Sequence, residues 1–379
     1  MSSIGVLGAG TWGTALARML CNSGHEVIVW SISEEEVRSL SATRRHPNLP
    51  GCVLPEGIRF TGEMAEACRG KDILLCAVPS VYVRSTIRAA RPYIAPDQII
   101  VDVAKGIEAD TLMTMSEVIR DEIRKGERYE DKRDEVRKDG EREGERDGIR
   151  RDGRQEGDRD ELRKAGGQDH VRIVALSGPT HAEEVAQDLP TTIVSACEDL
   201  SAAETVQDIF FNTCMRVYTN PDIRGVEICG ALKNIIALAA GISAGLGYGD
   251  NTKAAIITRG LAEIKRLGMA MGCREQTFSG LAGLGDLIVT ATSRHSRNNR
   301  CGYLIGQGMP AEEAIRQVGM VVEGINALPA AIQLAEKYGI EMPITRTADA
   351  VVNGRIPASD AVRMLMSRDR KMEESGLFT

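Results

Sequence analysis

The chain has few aromatic residues, no paired cysteine motif and no excess of positive charge. Phe, Trp and Tyr make up 4% of the 379 residues, and none of the nine cysteines belongs to a Cys-x-x-Cys pair. An odd number of scattered cysteines argues against a disulfide framework and against a zinc site. The formal net charge of -7 disfavours nucleic acid as a partner, because phosphate backbones are bound by basic surfaces. No metal site is predicted.

Long uninterrupted apolar segments are also missing. No run approaches the ~18 apolar residues that a membrane-spanning helix needs. A strand pattern begins at Ile4, which leaves no room for a signal peptide. With the unpaired cysteines, these absences predict a cytoplasmic protein without a membrane span. The sequence does not determine the oligomeric state, for which a homodimer is one option.

The pattern of apolar residues divides the chain into an α/β part and an all-α part. Short apolar runs alternate with helical patterns in residues 1–220, which is typical of a parallel sheet with crossover helices. Helical periodicity dominates residues 221–379, and we place the boundary at the turn dipeptide Asn220-Pro221. The predicted strands are Ile4–Leu7, Val27–Trp30, Ile73–Val78, Ile99–Val103, Ile173–Leu176 and Thr192–Ser195. The predicted helices are Thr14–Asn22, Val226–Ala240, Thr252–Met271, Ala311–Val318, Ala327–Tyr338 and Ser359–Met366.

One stretch, from about Arg124 to His170, fits neither part. It consists almost wholly of Arg, Lys, Asp, Glu and Gly, and it lacks the apolar residues that would offset the entropy of ordering. We interpret it as a charged, disordered insertion in the first domain. A partner-binding or regulatory arm is the alternative.

A glycine motif follows the first predicted strand directly. Gly8, Gly10 and Gly13 form Gly-x-Gly-x-x-Gly between a strand and a helix. In this context Gly8 permits the tight turn, Gly10 lets the backbone approach a pyrophosphate, and Gly13 allows close packing of helix and strand. The free N–H groups of the helix then face the anion. Residues 1–220 are therefore predicted to be a Rossmann domain that binds NAD(H) or NADP(H).

The end of the second strand leaves the choice between the two coenzymes open. An acid there would bond the ribose hydroxyls and a base would pair with a 2′-phosphate. The residues after Trp30 begin with Ser31, Ile32 and Ser33, so neither marker stands at the strand end. Arg44, Arg45 and His46 follow in the next loop and could supply positive charge instead.

Several polar residues lie where chemistry on a bound substrate is expected. Lys105 follows the fourth strand, and the carboxyl ends of parallel strands are where open sheets bind ligands; a plain surface charge is the alternative. The small-residue loop Ser177–Ala182 follows another strand, although it could also be an ordinary turn. Lys233 interrupts an apolar helix, where burial would lower its pKa and suit it to proton transfer.

Two polar segments of the second domain complete the candidate site. Asp286 follows a glycine-rich run and could equally be a cap or turn residue. Ser296, Arg297 and Asn298 combine a guanidinium with hydroxyl and amide groups, which suits them to hold a phosphate.

These motifs resemble those of the bacterial-type NAD(P)-dependent glycerol-3-phosphate dehydrogenases over nearly the whole chain. The matching segments follow the family's order: Gly8–Ala17, Val78–Ser80, Ala104–Gly106, Ser177–Thr180, Ala231–Asn234, Gly249–Asn251, Leu281–Leu287, Ser296–Arg300 and Val321–Gly324. The resemblance implies a helical second domain of the 6-phosphogluconate dehydrogenase type. It also implies reversible hydride transfer between NAD(P)H and dihydroxyacetone phosphate, supplying glycerol 3-phosphate for phospholipid synthesis.

The same resemblance implies roles for individual residues. Lys233 would carry the proton. The substrate would contact Lys105, Gly178, Thr180, Lys233, Asp286, Ser296, Arg297 and Asn298. The cofactor would contact Gly8, Gly10, Thr11, Trp12, Gly13, Lys105, Ala182, Arg297, Val321 and Glu323.

The chain departs from the family pattern at three places. The charged stretch is not part of that pattern, Ser31–Ser33 stand where the family has His or Arg, and His181 replaces a Phe. We interpret His181 as a packing residue rather than a catalytic one. Two other functions stay open: a different dehydrogenase on the same fold, and a dinucleotide-sensing protein without turnover.

Overall fold

The first domain is built on one eight-stranded sheet. A computed structural model of the chain describes residues 1–126, 171–293 and 295–370. The strand order is β3-β2-β1-β4-β5-β6-β7-β8. The strands are β1 Ser3–Leu7, β2 Glu26–Trp30, β3 Ile58–Thr61, β4 Ile73–Cys76, β5 Ile99–Asp102, β6 Arg172–Ser177, β7 Thr191–Ala196 and β8 Met215–Asn220. The order reverses direction between β1 and β4, which is where a doubly wound sheet opens a crevice for its ligand.

The sequence prediction missed the two strands at the edges of this sheet. β3 and β8 each have neighbours on one side only, and their sequences alternate apolar with polar residues. The six predicted strands are the central ones, whose faces are buried on both sides and whose apolar runs are therefore nearly continuous. An edge strand exposes part of its surface and loses that signal.

The predicted parallel sheet is confirmed, except that one pair of strands is antiparallel. β6 and β7 pair antiparallel, with Leu176 opposite Ser195, while every other pair is parallel. The connection between them contains only the four-residue helix Ala182–Val185. So short a helix does not carry the chain back across the sheet, as a parallel crossover requires.

Helices cover both faces of the sheet. The described helices of this domain are Thr11–Asn22, Glu34–Thr43, Met64–Cys68, Val83–Ala90, 115–126, Ala182–Val185 and Leu200–Ile209, with short 3-10 turns at Ser80–Tyr82 and Arg91–Tyr93. Residues 124–126, the first of the predicted insertion, are helical and not disordered as the sequence suggested. The remainder of the predicted insertion, residues 127–170, lies outside the described part of the chain.

The second domain is helical and surrounds one long apolar helix, Ile223–Gly245. Its other helices are Asp250–Ala270, Glu275–Ser279, Asp286–Thr292, Arg297–Gly306, Ala311–Val318, Glu323–Lys337, Pro343–Val352 and Ala358–Met366, with a π-helical turn at Leu281–Gly285. The last strand ends at Asn220, and the side chain of Asp222 caps the long helix by accepting from the Gly225 backbone N–H.

The long helix corrects the expectation that no segment is long and apolar enough to cross a membrane. Among the described residues, one helix, Ile223–Gly245, has the length and the apolar composition that crossing a membrane would need. Its most apolar window has a mean hydropathy of 1.5. That window is 83% buried within the protein. The other helices of the domain pack around it, so it forms the core. Counting uninterrupted apolar residues missed it because Glu227, Lys233 and Asn234 break the run.

Candidate active site

The glycine loop between β1 and the first helix has the geometry that the motif predicts. Gly8 has a φ of +120°, and its backbone N–H donates to the Trp30 carbonyl at 2.9 Å. A Cβ on Gly13 would lie 2.2 Å from the Gly8 carbonyl oxygen. Gly8 therefore makes the turn and ties the loop to the end of β2, while Gly13 lets the helix start against the loop.

The start of the Thr11–Asn22 helix fits a pyrophosphate. A Cβ on Gly10 would meet no atom within 4 Å, so this position opens into free space. The helix has no side-chain cap and no acid in its first turn, which leaves its N–H groups and its dipole available to an anion. The Thr11 hydroxyl is buried without a hydrogen-bond partner, and Trp12 stands half-buried beside it. These residues would hold the pyrophosphate of a dinucleotide.

The centre of the site is a buried carboxylate between two lysines. Lys233 lies in the middle of the long helix, and its Nζ donates to Asp286 Oδ1 at 2.5 Å and to Thr290 Oγ1 at 2.6 Å. Lys105, which follows β5, donates to the other oxygen of Asp286 at 2.8 Å. Asp286 is fully buried, and 5% of Lys233 is exposed. The structure thus joins residues from three separate parts of the sequence.

This arrangement lowers the pKa of Lys233 into the physiological range. Burial is the largest cause and disfavours the ammonium form, the Asp286 carboxylate opposes it, and the nearby Lys105 charge reinforces it. The resulting pKa is about 7. A lysine with this pKa exchanges its proton readily at neutral pH, which is what a general acid and base requires.

The loop after β6 lies against the same centre. Lys105 Nζ also donates to the Gly178 carbonyl at 3.0 Å and to the Thr180 hydroxyl at 3.4 Å. Lys105 therefore does not behave as a free surface charge, and the Ser177–Ala182 loop is more than a turn. Ala182 begins the short helix that continues this loop and is half-buried.

His181 lies in this loop among other charged groups. Its Nε2 is buried without a hydrogen-bond partner, and its ring is 5.9 Å from that of His295, centroid to centroid. Burial lowers the pKa of His181, and the Lys233 charge lowers it further. A neutral, packed imidazole agrees with the packing role that we expected from the sequence.

Ser296, Arg297 and Asn298 form the start of the Arg297–Gly306 helix. The Ser296 hydroxyl caps that helix by accepting from the Asn299 N–H at 3.2 Å, which leaves the N–H groups of the two residues between them for an anion. The Arg297 side chain is exposed and makes no hydrogen bond or ion pair within the described chain. It is therefore free to bind a phosphate.

The Asn298 side chain also makes contacts inside the second domain. Its side-chain amide donates to Asn234 Oδ1 at 2.9 Å and accepts from the Gly324 N–H at 2.8 Å. One N–H and the oxygen of this amide are thus used inside the domain. The second side-chain N–H and the backbone N–H of Asn298 are the groups that could contact an anion.

Glu323 connects the two domains near the crevice. Its carboxylate accepts hydrogen bonds from the backbone N–H and the hydroxyl of Ser80, at 3.1 and 2.6 Å. Ser80 belongs to the loop after β4, and Val321 is half-buried just before the Glu323 helix. Of the predicted cofactor residues of the second domain, Glu323 thus meets the loop at the carboxyl end of β4.

The sequence did not single out Thr290, although its position held a signal. Asp286 and Thr290 are four residues apart, so an Asp286–Thr292 helix places both on one face. The Thr290 hydroxyl accepts a second hydrogen bond from Lys233 Nζ, at 2.6 Å. Its hydroxyl also donates to the Asp286 carbonyl at 2.7 Å, which orients it.

A dinucleotide-binding loop and a buried lysine of tunable charge meet at the carboxyl edge of one sheet. Together they define a nicotinamide-dependent oxidoreductase that works on a small anionic substrate. Comparison with known proteins specifies the class. Two family models match: the N-terminus of NAD-dependent glycerol-3-phosphate dehydrogenase over residues 3–129 and 156–203, and its C-terminus over residues 222–363. The chain belongs to the NAD-dependent glycerol-3-phosphate dehydrogenase family.

Individual relatives agree with this assignment over their full length. The chain is 59% identical to glycerol-3-phosphate dehydrogenase [NAD(P)+] 2 of Lactobacillus delbrueckii subsp. bulgaricus, covering 98% of this chain and 99% of that protein. It is 44% identical to glycerol-3-phosphate dehydrogenase [NAD(P)+] of Bacillus subtilis, covering 100% and 97%. Among solved structures, glycerol-3-phosphate dehydrogenase from Coxiella burnetii superposes with a TM-score of 0.82 at 32% identity, covering 97% of this chain and 99% of that one.

Proposed function

We propose that the protein catalyses reversible hydride transfer between NAD(P)H and dihydroxyacetone phosphate, forming sn-glycerol 3-phosphate. The observation that carries this proposal is the buried contact of Lys233 and Lys105 with one carboxylate, Asp286, at the edge of a dinucleotide-binding sheet. Family membership supports the choice of substrate. When bound, the coenzyme supplies the hydride that reaches C2 of the ketone.

Lys233 supplies the proton in this scheme. Its ammonium donates to the oxygen on C2 as negative charge develops there, and its neutral amine accepts the proton in the reverse direction. Thr290 and Asp286 fix the position of Nζ by hydrogen bonds. Lys105, which bonds the other oxygen of Asp286, adds a second positive charge near the oxygen on C2. This charge stabilises the transition state electrostatically.

The substrate phosphate binds at the start of the Arg297–Gly306 helix. The free guanidinium of Arg297 and the uncapped N–H groups of the first turn form the anion site there. Binding at this remote group orients C2 toward Lys233, so that phosphate contacts contribute to rate as well as affinity.

An assay of coenzyme oxidation tests the proposed reaction directly. Loss of reduced-coenzyme absorbance should depend on dihydroxyacetone phosphate and not on a 2-oxo acid. Turnover of a 2-hydroxy acid or of 6-phosphogluconate instead would support another dehydrogenase on the same fold. Binding of the dinucleotide without turnover of any of these substrates would support a sensing protein.

Replacing Arg297 with alanine should raise KM for dihydroxyacetone phosphate about 10- to 150-fold. The change removes a charge-assisted contact worth roughly 1.5–3 kcal/mol. Unphosphorylated dihydroxyacetone cannot use this contact, so its kcat/KM should change little. The measurement is steady-state kinetics on both ketones, with Arg316→Ala as a control that removes an exposed arginine elsewhere in the domain. Equal losses on the two ketones would contradict a phosphate-specific role.

The pKa of Lys233 predicts opposite pH dependences for the two directions. Ketone reduction needs the ammonium, so kcat/KM should be constant below pH 7 and should fall about tenfold per unit above it. Alcohol oxidation needs the neutral amine and should rise to a plateau above pH 7. Initial rates in both directions across pH 5.5–9 would show the two profiles. Profiles of the same slope in both directions would exclude Lys233 as the titrating group.

We also propose that the enzyme works in the cytoplasm and supplies glycerol 3-phosphate for phospholipid synthesis. All nine cysteines are unpaired and seven are buried, which suits a reducing compartment. The homodimer stays a prediction, for which sedimentation equilibrium is the measurement.

A further inference from the structure

The end of β2 carries a carboxylate that the sequence does not place there. Glu36 is five residues beyond Ser31, inside the Glu34–Thr43 helix, yet the buried Ser31 hydroxyl donates to Glu36 Oε2 at 2.5 Å. The start of this helix is fixed next to the strand end, because the Ser33 hydroxyl caps it by accepting from the Glu36 N–H. The helix therefore returns an acid to the strand end where the sequence shows only Ser31, Ile32 and Ser33.

This carboxylate stands beside the dinucleotide loop. The Gly8 N–H donates to the carbonyl of Trp30, the last residue of β2. This hydrogen bond holds the dinucleotide loop against the end of the strand. His46 lies between the dinucleotide loop and Glu36. Its imidazole is hydrogen-bonded to the Ala9 backbone, and the Glu36 charge raises its pKa. A dinucleotide whose pyrophosphate lies at the first helix passes its adenosine ribose over this strand end.

The cations nearby are unsuited to a 2′-phosphate. The guanidinium of Arg44 is turned away toward β3, where it donates to the Ile58 carbonyl at 2.7 Å, pairs with Glu56 and lies over the Phe60 ring. His46 is buried and its Nδ1 accepts from the Asn48 N–H, so its other nitrogen carries the only ring proton. Burial also lowers the pKa of His46, against the opposing effect of Glu36. Arg45, exposed in the same loop, is the remaining candidate.

A residue just after the strand end is apolar and open. Ile32 is 87% exposed and lies two residues after Trp30, the last residue of β2. An exposed isoleucine offers a surface for an adenine ring and no hydrogen bond to a phosphate. The local charge is instead negative, since Glu34 and Glu35 share the first helical turn with Glu36.

We infer that Glu36, held by Ser31, accepts the adenosine ribose hydroxyls and makes the enzyme selective for NAD(H) over NADP(H). This assignment rests on the proposed dinucleotide-dependent function. A carboxylate accepts hydrogen bonds from a 2′-hydroxyl, whereas a 2′-phosphate brings about two negative charges against it. Selectivity thus comes from attraction of one coenzyme and repulsion of the other.

The test compares dissociation constants of NADH and NADPH without substrate. Both tryptophans, Trp12 and Trp30, flank the dinucleotide loop, so their fluorescence reports binding. The wild-type protein should bind NADH at least 20-fold more tightly than NADPH. Glu36→Gln keeps a hydrogen-bond partner for Ser31 and should reduce this ratio at least tenfold, chiefly by tightening NADPH. Glu35→Gln, the matched loss of an exposed acid from the same turn, should leave the ratio within twofold of wild type.

Three results would overturn the assignment. One is wild-type affinity for NADPH equal to or above that for NADH. Another is a ratio that Glu36→Gln does not change, and the third is failure of both coenzymes to bind. If the ratio behaves as expected while dihydroxyacetone phosphate is not reduced, the proposed reaction fails and the role of Glu36 stands. Weaker NADPH binding in Arg45→Ala, with a wild-type preference for NADPH, would assign the 2′-phosphate to Arg45 instead.

Discussion

Replacing Lys233 with alanine is expected to lower kcat for dihydroxyacetone phosphate reduction by roughly 10²–10⁴-fold, the usual contribution of a general acid. Lys233 is the buried amine whose pKa is about 7, and Asp286 and Thr290 hold its Nζ in place. Binding of NADH should be almost unchanged, because the dinucleotide loop lies on the other domain. Steady-state kinetics and a binding titration measure the two effects separately.

Two further variants distinguish proton transfer from simple loss of charge. Lys233→Arg keeps the positive charge but cannot release a proton near neutral pH, so it should be nearly as slow as the alanine variant. Lys337→Ala removes a lysine at the end of the Glu323–Lys337 helix and should keep wild-type kinetics. If Lys233→Ala retains near-normal kcat, the proton assignment is wrong, and Lys105 becomes the donor to examine.

Replacing Asp286 with asparagine should both destabilise the protein and move its pH profile. Lys233 and Lys105 each bond one oxygen of this carboxylate, so the change leaves both buried amino groups without their counter-charge. Breaking a buried pair by removing one partner costs about 3–5 kcal/mol of unfolding free energy. The carboxylate also raises the pKa of Lys233, so its loss lowers that pKa and shifts the fall in ketone-reduction activity to lower pH.

Denaturant unfolding and the pH dependence of kcat/KM check these two effects. Asp360→Asn serves as the control, because it removes a carboxylate from the exposed pair with Arg363, and such pairs contribute about 0–1 kcal/mol. A variant Asp286→Asn as stable as the control would show that the lysines are not held as charged partners. A profile that moves to higher pH would contradict the electrostatic role of Asp286.

The central strands and the dinucleotide loop could be predicted because their causes are local. Buried parallel strands read as apolar runs, and the spacing of Gly8, Gly10 and Gly13 reflects constraints within a single strand-turn-helix unit. The edge strands β3 and β8 and the antiparallel β6–β7 pair were missed or misassigned. Their pairing depends on neighbours and on how far a connection reaches, which local patterns do not record.

The candidate chemical residues were predicted by type and by family resemblance, but their arrangement was not. Lys233 stands out as a lysine within an apolar helix, while Asp286 alone gives no sign that it bonds two lysines. The Asn298 amide illustrates the limit: its residue type suits a phosphate, but contacts with Asn234 and Gly324 use it inside the domain. Which partner a polar group takes depends on residues distant in sequence.

The sequence by itself determined the two-part organisation, the dinucleotide loop, the family and the identity of the candidate lysine, because periodicity and spacing express constraints that act within a few residues. Only the tertiary structure decided the charge state and the neighbours of these groups. Lys233 acquires a pKa of about 7 because folding buries it against Asp286, 53 residues after it in the chain, and near Lys105, far before it. Glu36 reaches the end of β2 because a capped helix turns it back onto Ser31. Desolvation and Coulomb interactions act through space, so they exist only once distant segments have been brought together.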